Sequence, residues 1–465
     1  MMKTLTRLFL SLAAICCLFA QNASAQNIPD SNFADAIRDV CPACIDINNN
    51  LTPAAQNLDS LDVSDSDISD LTGIEGYTSL QFLDCNENQL TSLPVLPDSL
   101  TYLNCGRNQL DSLTALPASL KYLNCYYNKL TSLPALPASL TYLNCRSNKL
   151  DSLTALPGGL TFLNCGYNPL GSLPTLPDSL TYLYCQNNQL SSLPALPSSL
   201  TYLSCDYNPL DSLPVLPVSL TNLNCYSSQL TSLPALPVGL TGLNCERNQL
   251  DSLPALPASL WALYCANNQL TSLPVLPVSL YILNCRDNQL TSLPPLPNSL
   301  HILNCDNNQL TSLPPLPNSL RELTCLDNPS LSCLPLLPSE LDFLFASGTQ
   351  IICIPNQPPN LSMIPDLPLC SEPCDSTTST SDVLYKAKPF TVQPNPVSDM
   401  LQVHFSADYE ANTSLRLLNA GGQVVRTLSG KGDMEILVGD LPEGIYWLEV
   451  RGARWVFGEK ILNKQ

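Results

Sequence analysis

Cysteine is the residue type in this chain most able to do chemistry, and its spacing is regular. The 465 residues include 21 Cys, and thirteen of them recur every 20 residues from Cys85 to Cys325. A column with that period is open to three chemistries: buried thiols, stacked disulfides or a metal ladder. Neighbouring strands lie about 4.8 Å apart, inside the disulfide Cα range of about 4.4–6.8 Å, so distance does not exclude bridges. Val63 and Ala346 take the same slot in the flanking units, and an odd number cannot pair completely. The column therefore reads as small buried hydrophobes with free thiols. One inward sulfur per unit offers no tetrahedral set for a metal.

Cys41, Cys44, Cys333, Cys353, Cys370 and Cys374 stand outside the column and read as disulfide candidates at the ends of a repeat array. Cys41-Pro42-Ala43-Cys44 has the C-x-x-C spacing of a redox site, but no βαβ context surrounds it, so a structural bridge is the expectation. Cys333 and Cys353 occupy equivalent slots and could face each other, leaving Cys370 to pair with Cys374; four Cys allow three connectivities.

Catalytic chemistry has little to draw on. The two His, His301 and His404, lie in different regions, and no H-E-x-x-H, G-x-S-x-G or phosphate loop occurs. No enzyme activity and no cofactor are expected. Asp46-x-Asn48-x-Asn50 matches the first ligands of a calcium loop, but Leu51 stands at the glycine position and Asn57 at the bidentate glutamate. That segment reads as a solvated cap.

The elements that hold these residues are set by one repeat. Thirteen units open at Leu80, Leu100 and so on to Leu320, each close to L-x-x-L-x-C-x-x-N-x-L-x-x-L-P-x-L-P-x-S. A unit at Leu58 and a worn one at Leu341 bring the count to about fifteen. Alternation puts Leu103 and Cys105 on one face of a short strand and Tyr102 and Asn104 on the other. One such strand cannot bury its apolar face alone, so the units stack into a parallel sheet on the order of 70 Å long. Asn88, Asn108, Asn128 and their successors can form an amide ladder in the following turn, broken only by Ser228. The return, as in Leu93-Pro94-Val95-Leu96-Pro97, repeats proline too often for helix and should be extended or polyproline II.

The flanks differ. Residues 1–25 read as a secretory signal, with Lys3 and Arg7, an apolar run from Leu8 to Ala20 and Ala23-Ser24-Ala25 at the cleavage site. Residues 26–57 should be an N-terminal cap with a short helix over Asn32–Val40, N-capped by Asn or Ser. Residues 58–355 form the solenoid, 356–375 a C-terminal cap, and 376–388 a Ser/Thr-rich linker. In residues 389–465 Cys disappears, and short alternating strands at Met400–Phe405, Ser414–Leu418, Gln423–Leu428, Met434–Val438, Ile445–Val450 and Val456–Leu462 suggest a small antiparallel sandwich. No segment after the signal is apolar and long enough to cross a membrane as a helix.

Two resemblances follow from these motifs. The 20-residue L-x-x-L-x-C-x-x-N pattern resembles the leucine-rich repeat, and its L-P-x-L-P return resembles the class found in secreted bacterial effectors. Some of those carry a ubiquitin-ligase domain with a catalytic Cys after the repeats. Here only 110 residues follow Pro355, so that activity is not carried over. Pro394-Asn395-Pro396, Leu417-Leu418-Asn419 with Gly421-Gly422, Leu441-Pro442-Glu443-Gly444-Ile445-Tyr446 and Lys460-Ile461-Leu462 resemble a type IX secretion C-terminal sorting domain. That resemblance implies export across the outer membrane by type IX machinery, followed by release or tethering at the surface.

Charge narrows the partner. The net charge is −19, of which residues 27–84 supply −10 (11 acids, 1 base) and residues 85–325 only −4 (12 acids, 8 bases). An acidic chain with a nearly neutral repeat sheet excludes nucleic-acid binding through phosphate neutralisation. The outward strand positions vary within the chain while the inward ones do not. Tyr102, Tyr122, Tyr142, Tyr126, Tyr127, Tyr167, Tyr184, Tyr207, Trp261 and Tyr264 are the candidate ligand-binding residues on the concave face. Rigidly held Tyr, Asn and Ser suit a protein partner or adhesion. The same rings suit stacking on a carbohydrate, and packing on one another to stiffen a passive structural surface protein is the third possibility.

Overall fold

The computed structural model describes residues 27–370, 390–393, 400–405, 413–419, 424–431, 433–442, 444–452 and 455–463. The predicted signal, the linker and Cys374 fall outside them. The chain divides into two compact units, one ending at Cys374 and the other beginning at Asp375.

The first unit opens with helix α1 (Ser31–Val40), whose Phe33, Ala34 and Ile37 are buried. Its N-cap is Asp30, not the Asn or Ser expected. Asp30 Oδ1 accepts the Asn32 and Phe33 N–H groups at 2.9 and 3.0 Å. Its other oxygen accepts the Ser69 N–H and hydroxyl at 2.8 and 2.7 Å and the Asp70 N–H at 3.1 Å. One carboxylate thus caps the helix and ties it to the first repeat.

Strands follow as three-residue segments: β1 (Ser60–Asp62), then β2 (Phe82–Asp84) through β14 (Glu322–Thr324) at 20-residue intervals, then β15 (Phe343–Phe345) and β16 (Ser362–Ile364). They form one 16-stranded sheet in sequence order. Pairing is parallel, and equivalent slots meet, as in Leu83 with Leu103 and Leu103 with Leu123. The fifteen units read from the repeat gain a sixteenth strand, because Ser362–Ile364 in the C-terminal cap pairs with Phe343–Phe345. The repeat pattern is lost there, but backbone pairing asks only for extended chain.

From β2 to β13 the central Leu of each strand, the Cys two residues on and the Leu five further on are buried, beginning with Leu83, Cys85 and Leu90. They belong to a single core cluster running from Ile28 to Ile354. Each fully buried Leu contributes about 1.5–3 kcal/mol, so stacking supplies what one unit lacks. No helix forms on the return side among residues 85–325. There the Ser directly before a unit's opening Leu reaches a carbonyl of the unit before it, as Ser119 Oγ to Leu100 O at 2.7 Å and Ser279 Oγ to Leu260 O at 2.7 Å.

All thirteen column cysteines are buried thiols. Burial pushes those of Cys105, Cys145, Cys245, Cys285 and Cys325 up to about 12. Several S–H groups point at the next strand's carbonyl, as Cys85 to Asn104 O at 3.3 Å and Cys305 to Thr324 O at 3.3 Å. Cys41 is bridged to Cys44 and Cys353 to Cys370. The alternative that put Cys333 against Cys353 is therefore corrected: Ile354 pairs with Leu369, and this bridge brings Cys370 to Cys353 instead. Cys333 is also disulfide-bonded.

The second unit holds a three-stranded sheet, β17 (Phe390–Gln393), β18 (Met400–Phe405) and β21 (Met434–Leu437). Its other sheet has four strands, β19 (Thr413–Leu418), β20 (Val424–Gly430), β22 (Gly444–Gly452) and β23 (Trp455–Asn463). All pairings are antiparallel. Leu401, Val403 and Ile436 of one sheet share a core with Leu415, Leu417, Leu448 and Val450 of the other, which makes a sandwich. Phe390–Gln393 is a seventh strand, beyond the six read from alternation.

Candidate functional site

The turn after each strand sets the outer face. Asn108 Nδ2 donates to the carbonyls of Cys85, Cys105 and Gly106 at 3.0–3.2 Å, and its Oδ1 accepts the Leu90 N–H at 2.9 Å. The same set recurs at Asn168, Asn248 and Asn308. At Ser228 the hydroxyl replaces part of it, reaching Cys205 O and Tyr226 O at 3.3 Å, and the Leu210 N–H turns to backbone carbonyls.

This turn forces the residue before each ladder position into the left-handed region. Thirteen successive residues there, from Glu87 to Asp327, have φ between 49 and 57° and none is Gly. Asn and Asp tolerate that conformation best among non-glycine residues, and bulky ones cost more. Tyr127, Tyr167 and Tyr207 hold it nonetheless, with φ of 51, 57 and 54°, and are exposed at 54%, 41% and 48%.

The sheet itself carries an aromatic column. Phe82, Tyr102, Tyr122, Tyr142 and Phe162 stack in order with centroids 4.1–4.3 Å apart. Burial raises the phenol pKa of Tyr102, Tyr122 and Tyr142. The column opens at Tyr184, which enters from the neighbouring slot, 5.5 Å from Phe162 and 4.8 Å from Tyr202. Tyr182 is pushed to 6.3 Å from Phe162 and 6.4 Å from Tyr202 and is left exposed.

At the C-terminal ends of the strands, Tyr126 lies edge-on to Tyr127 at 5.8 Å and covers the bare Gly106, where a Cβ would come within 2.1 Å of the ring. Tyr207 packs at 5.1 Å from Tyr226, and Arg146 lies 4.6 Å over Tyr167. At the opposite ends, Trp261, Tyr281 and His301 form a second stack at 4.9 and 4.0 Å. Tyr264 is half-buried and has no ring partner among the described residues.

Tyr281 and His301 follow Trp261 at the 20-residue period, a signal in the sequence that marks them as part of the same outward stack. The carboxylates of Asp206, Glu246 and Asp306 share the slot after the column Cys and also belong to the outer face. Burial raises all three; Ser204 opposes it for Asp206, Arg286 and Arg247 for Glu246, and the Leu326 N–H for Asp306. The suspected calcium loop is closed on itself. Asp46 Oδ1 accepts the Asn48 and Asn50 N–H groups at 2.8 Å and Oδ2 the Asn50 amide at 3.1 Å. No group of three metal-binding side chains occurs among the described residues.

A parallel ladder of 20-residue units with inward Leu and Cys and an asparagine turn defines a leucine-rich-repeat solenoid. Known proteins agree. Residues 78–118 match the family described as Leucine Rich repeats (2 copies), and residues 391–464 match the Secretion system C-terminal sorting domain. YopM from Yersinia enterocolitica WA-314 is 40% identical, with a TM-score of 0.64, over 65% of this chain and 67% of that one. YopM from Yersinia pestis, described as a leucine-rich effector protein, is 34% identical with a TM-score of 0.59, over 66% of this chain and 89% of that one. The functional domain of InlJ from Listeria monocytogenes, described as including a cysteine ladder, shares the fold at 23% identity and a TM-score of 0.54, over 94% of this chain and 97% of that one. No curated protein matches. The chain belongs to the bacterial leucine-rich-repeat proteins. It ends in a type IX sorting domain, which directs export to the cell surface or secretion. No helix among the described residues is long and apolar enough to cross a membrane.

Proposed function

We propose that this exported solenoid is a non-catalytic binding protein that holds a protein partner on the outward face of its parallel sheet. The observation that carries the reading is the placement of Tyr127, Tyr167 and Tyr207. Each accepts a left-handed backbone that Asn would adopt more easily, and each projects its ring into solvent. Strain kept at an exposed aromatic is a mark of use rather than of packing. Tyr supplies a large contact area at low conformational cost, as in paratopes. The plan includes a leader over residues 1–25, caps at 26–57 and 356–375, and the sorting segment over 389–465.

Carbohydrate stacking is the weaker reading. A sugar needs a free ring face, and from Phe82 to Phe162 each inner ring is covered on both sides by its neighbours. His301 lies on Tyr281, with Nδ1 2.8 Å from the Ser299 carbonyl, and belongs to that aromatic stack. The test is capture of partners by the full chain, with a glycan array run in parallel. A protein ligand weakened by Tyr127→Ala and Trp261→Ala supports the reading. A ligand indifferent to both, or binding to glycans alone, refutes it.

A further inference from the structure

The repeat sheet is nearly neutral in sum but not in distribution. Five of the eight bases in residues 85–325 fall between Arg107 and Lys149, and that interval holds one acid, Asp111. Four of the five share one edge. Arg107 and Arg146 stand in the two slots after the column Cys, and Lys129 and Lys149 one residue past the ladder Asn. Tyr126, Tyr127 and Tyr167 stand among them. In those slots the units opening at Leu100, Leu120, Leu140, Leu160 and Leu180 carry no acid.

The guanidinium groups are held by rings more than by carboxylates. Arg107 lies 5.8 and 5.9 Å from the Tyr126 and Tyr127 centroids, and its ion pair to Glu87 is long, 3.5 Å, with both side chains about half exposed. Such a pair contributes little. Arg146 lies over Tyr167 and makes no ion pair among the described residues, and its buried Nε has no hydrogen-bond partner. Lys129 meets only the Gln109 amide oxygen, at 3.3 Å, and Lys129 and Lys149 are exposed. A guanidinium fixed against a ring and lacking an acid is a preorganised fork for a carboxylate.

We infer that this edge is the docking site for an acidic stretch of a protein partner, laid across the units opening at Leu100, Leu120, Leu140 and Leu160. The inference rests on the reading of the sheet as a protein-binding face and names the chemistry of what it takes. Unit spacing of about 4.8 Å gives the four cations, which fall in three units, a span of roughly 10 Å, the reach of about three extended residues, and Tyr167 extends the edge by one more unit. An anionic glycan would meet the same charge, but one face of Tyr167 is already covered by Arg146.

The test uses the full-length protein and a labelled hexaglutamate peptide, with hexalysine and a heparin oligosaccharide as comparisons, read by fluorescence anisotropy at low and high salt. Hexaglutamate should bind, weaken with salt, and lose at least about tenfold in affinity in the Arg107→Glu/Arg146→Glu variant. Arg146→Lys keeps the charge without the planar fork and should also weaken it. Arg107 is half exposed and Arg146 lies part-buried on a turn outside the Leu and Cys core, so circular dichroism should be unchanged. No hexaglutamate binding, equal binding by the double variant, or binding of heparin alone overturns the inference. A natural partner kept by the double variant but lost on Tyr184→Ala would remove this docking site and leave the wider reading standing.

Discussion

The Asn168 side chain accepts the Leu150 N–H at 3.0 Å and donates to the Cys145 carbonyl at 3.1 Å, so the turn of one unit is completed by the next. The contact is buried, and replacing Asn168 with Ala strands polar groups of the preceding turn. Asn168→Ala is expected to cost about 1–3 kcal/mol, measured as a lower midpoint of urea unfolding.

The cysteine column predicts a thiol count. Native protein should not react with a thiol reagent, because the column is buried and its pKa values are raised. Unfolding without reductant should release thirteen thiols while the bridged cysteines stay silent. Far fewer would mean that column sulfurs pair across units.

Asp30 joins the cap to the first repeat. Burial raises its pKa, but the Ser69 hydroxyl and the N–H groups of Phe33, Ser69 and Asp70 outweigh it, and the net shift is downward from 3.8. A depressed folded pKa means that the carboxylate stabilises the cap above its ordinary value. That stabilisation is lost as pH falls through the folded value. Hydrogen-exchange protection of Ser31–Val40, taken relative to the intrinsic rate at each pH, should therefore fall below pH 3.8. Asp30→Ala should cost about 1 kcal/mol at neutral pH and flatten the dependence.

Much of this was legible in the sequence because the repeat states its own register. The period placed Leu103, Cys105 and Asn108 in core, core and turn, and six of the seven tail strands fell where alternation put them. What escaped has physical causes. Asp30 caps the helix through local bonds to Asn32 and Phe33, but its tie to Ser69, 39 residues away, has no local sequence signal. The strand at Ser362–Ile364 keeps backbone pairing after the Leu pattern is gone. The Cys353–Cys370 bridge depends on that terminal path. The left-handed turn at Tyr127 has no residue signature, since thirteen units fill it with Tyr, Asn, Ser, Asp, Arg and Glu.

Export depends on the tail. Deleting residues 389–465 should leave the protein in the periplasm, detected by fractionation and surface protease treatment. Undiminished surface delivery would argue against the sorting assignment.

The central claim is that exposed Tyr at left-handed positions is kept for a partner. It is tested most directly by the triple variant Tyr127→Asn, Tyr167→Asn, Tyr207→Asn, with partner affinity and urea stability measured on the same preparation. Asn relieves up to about 1 kcal/mol at each site, so the account predicts stability unchanged or raised and affinity reduced at least about tenfold, or 1.4 kcal/mol. Lower stability with full affinity would contradict it, and the rings would then be serving the fold.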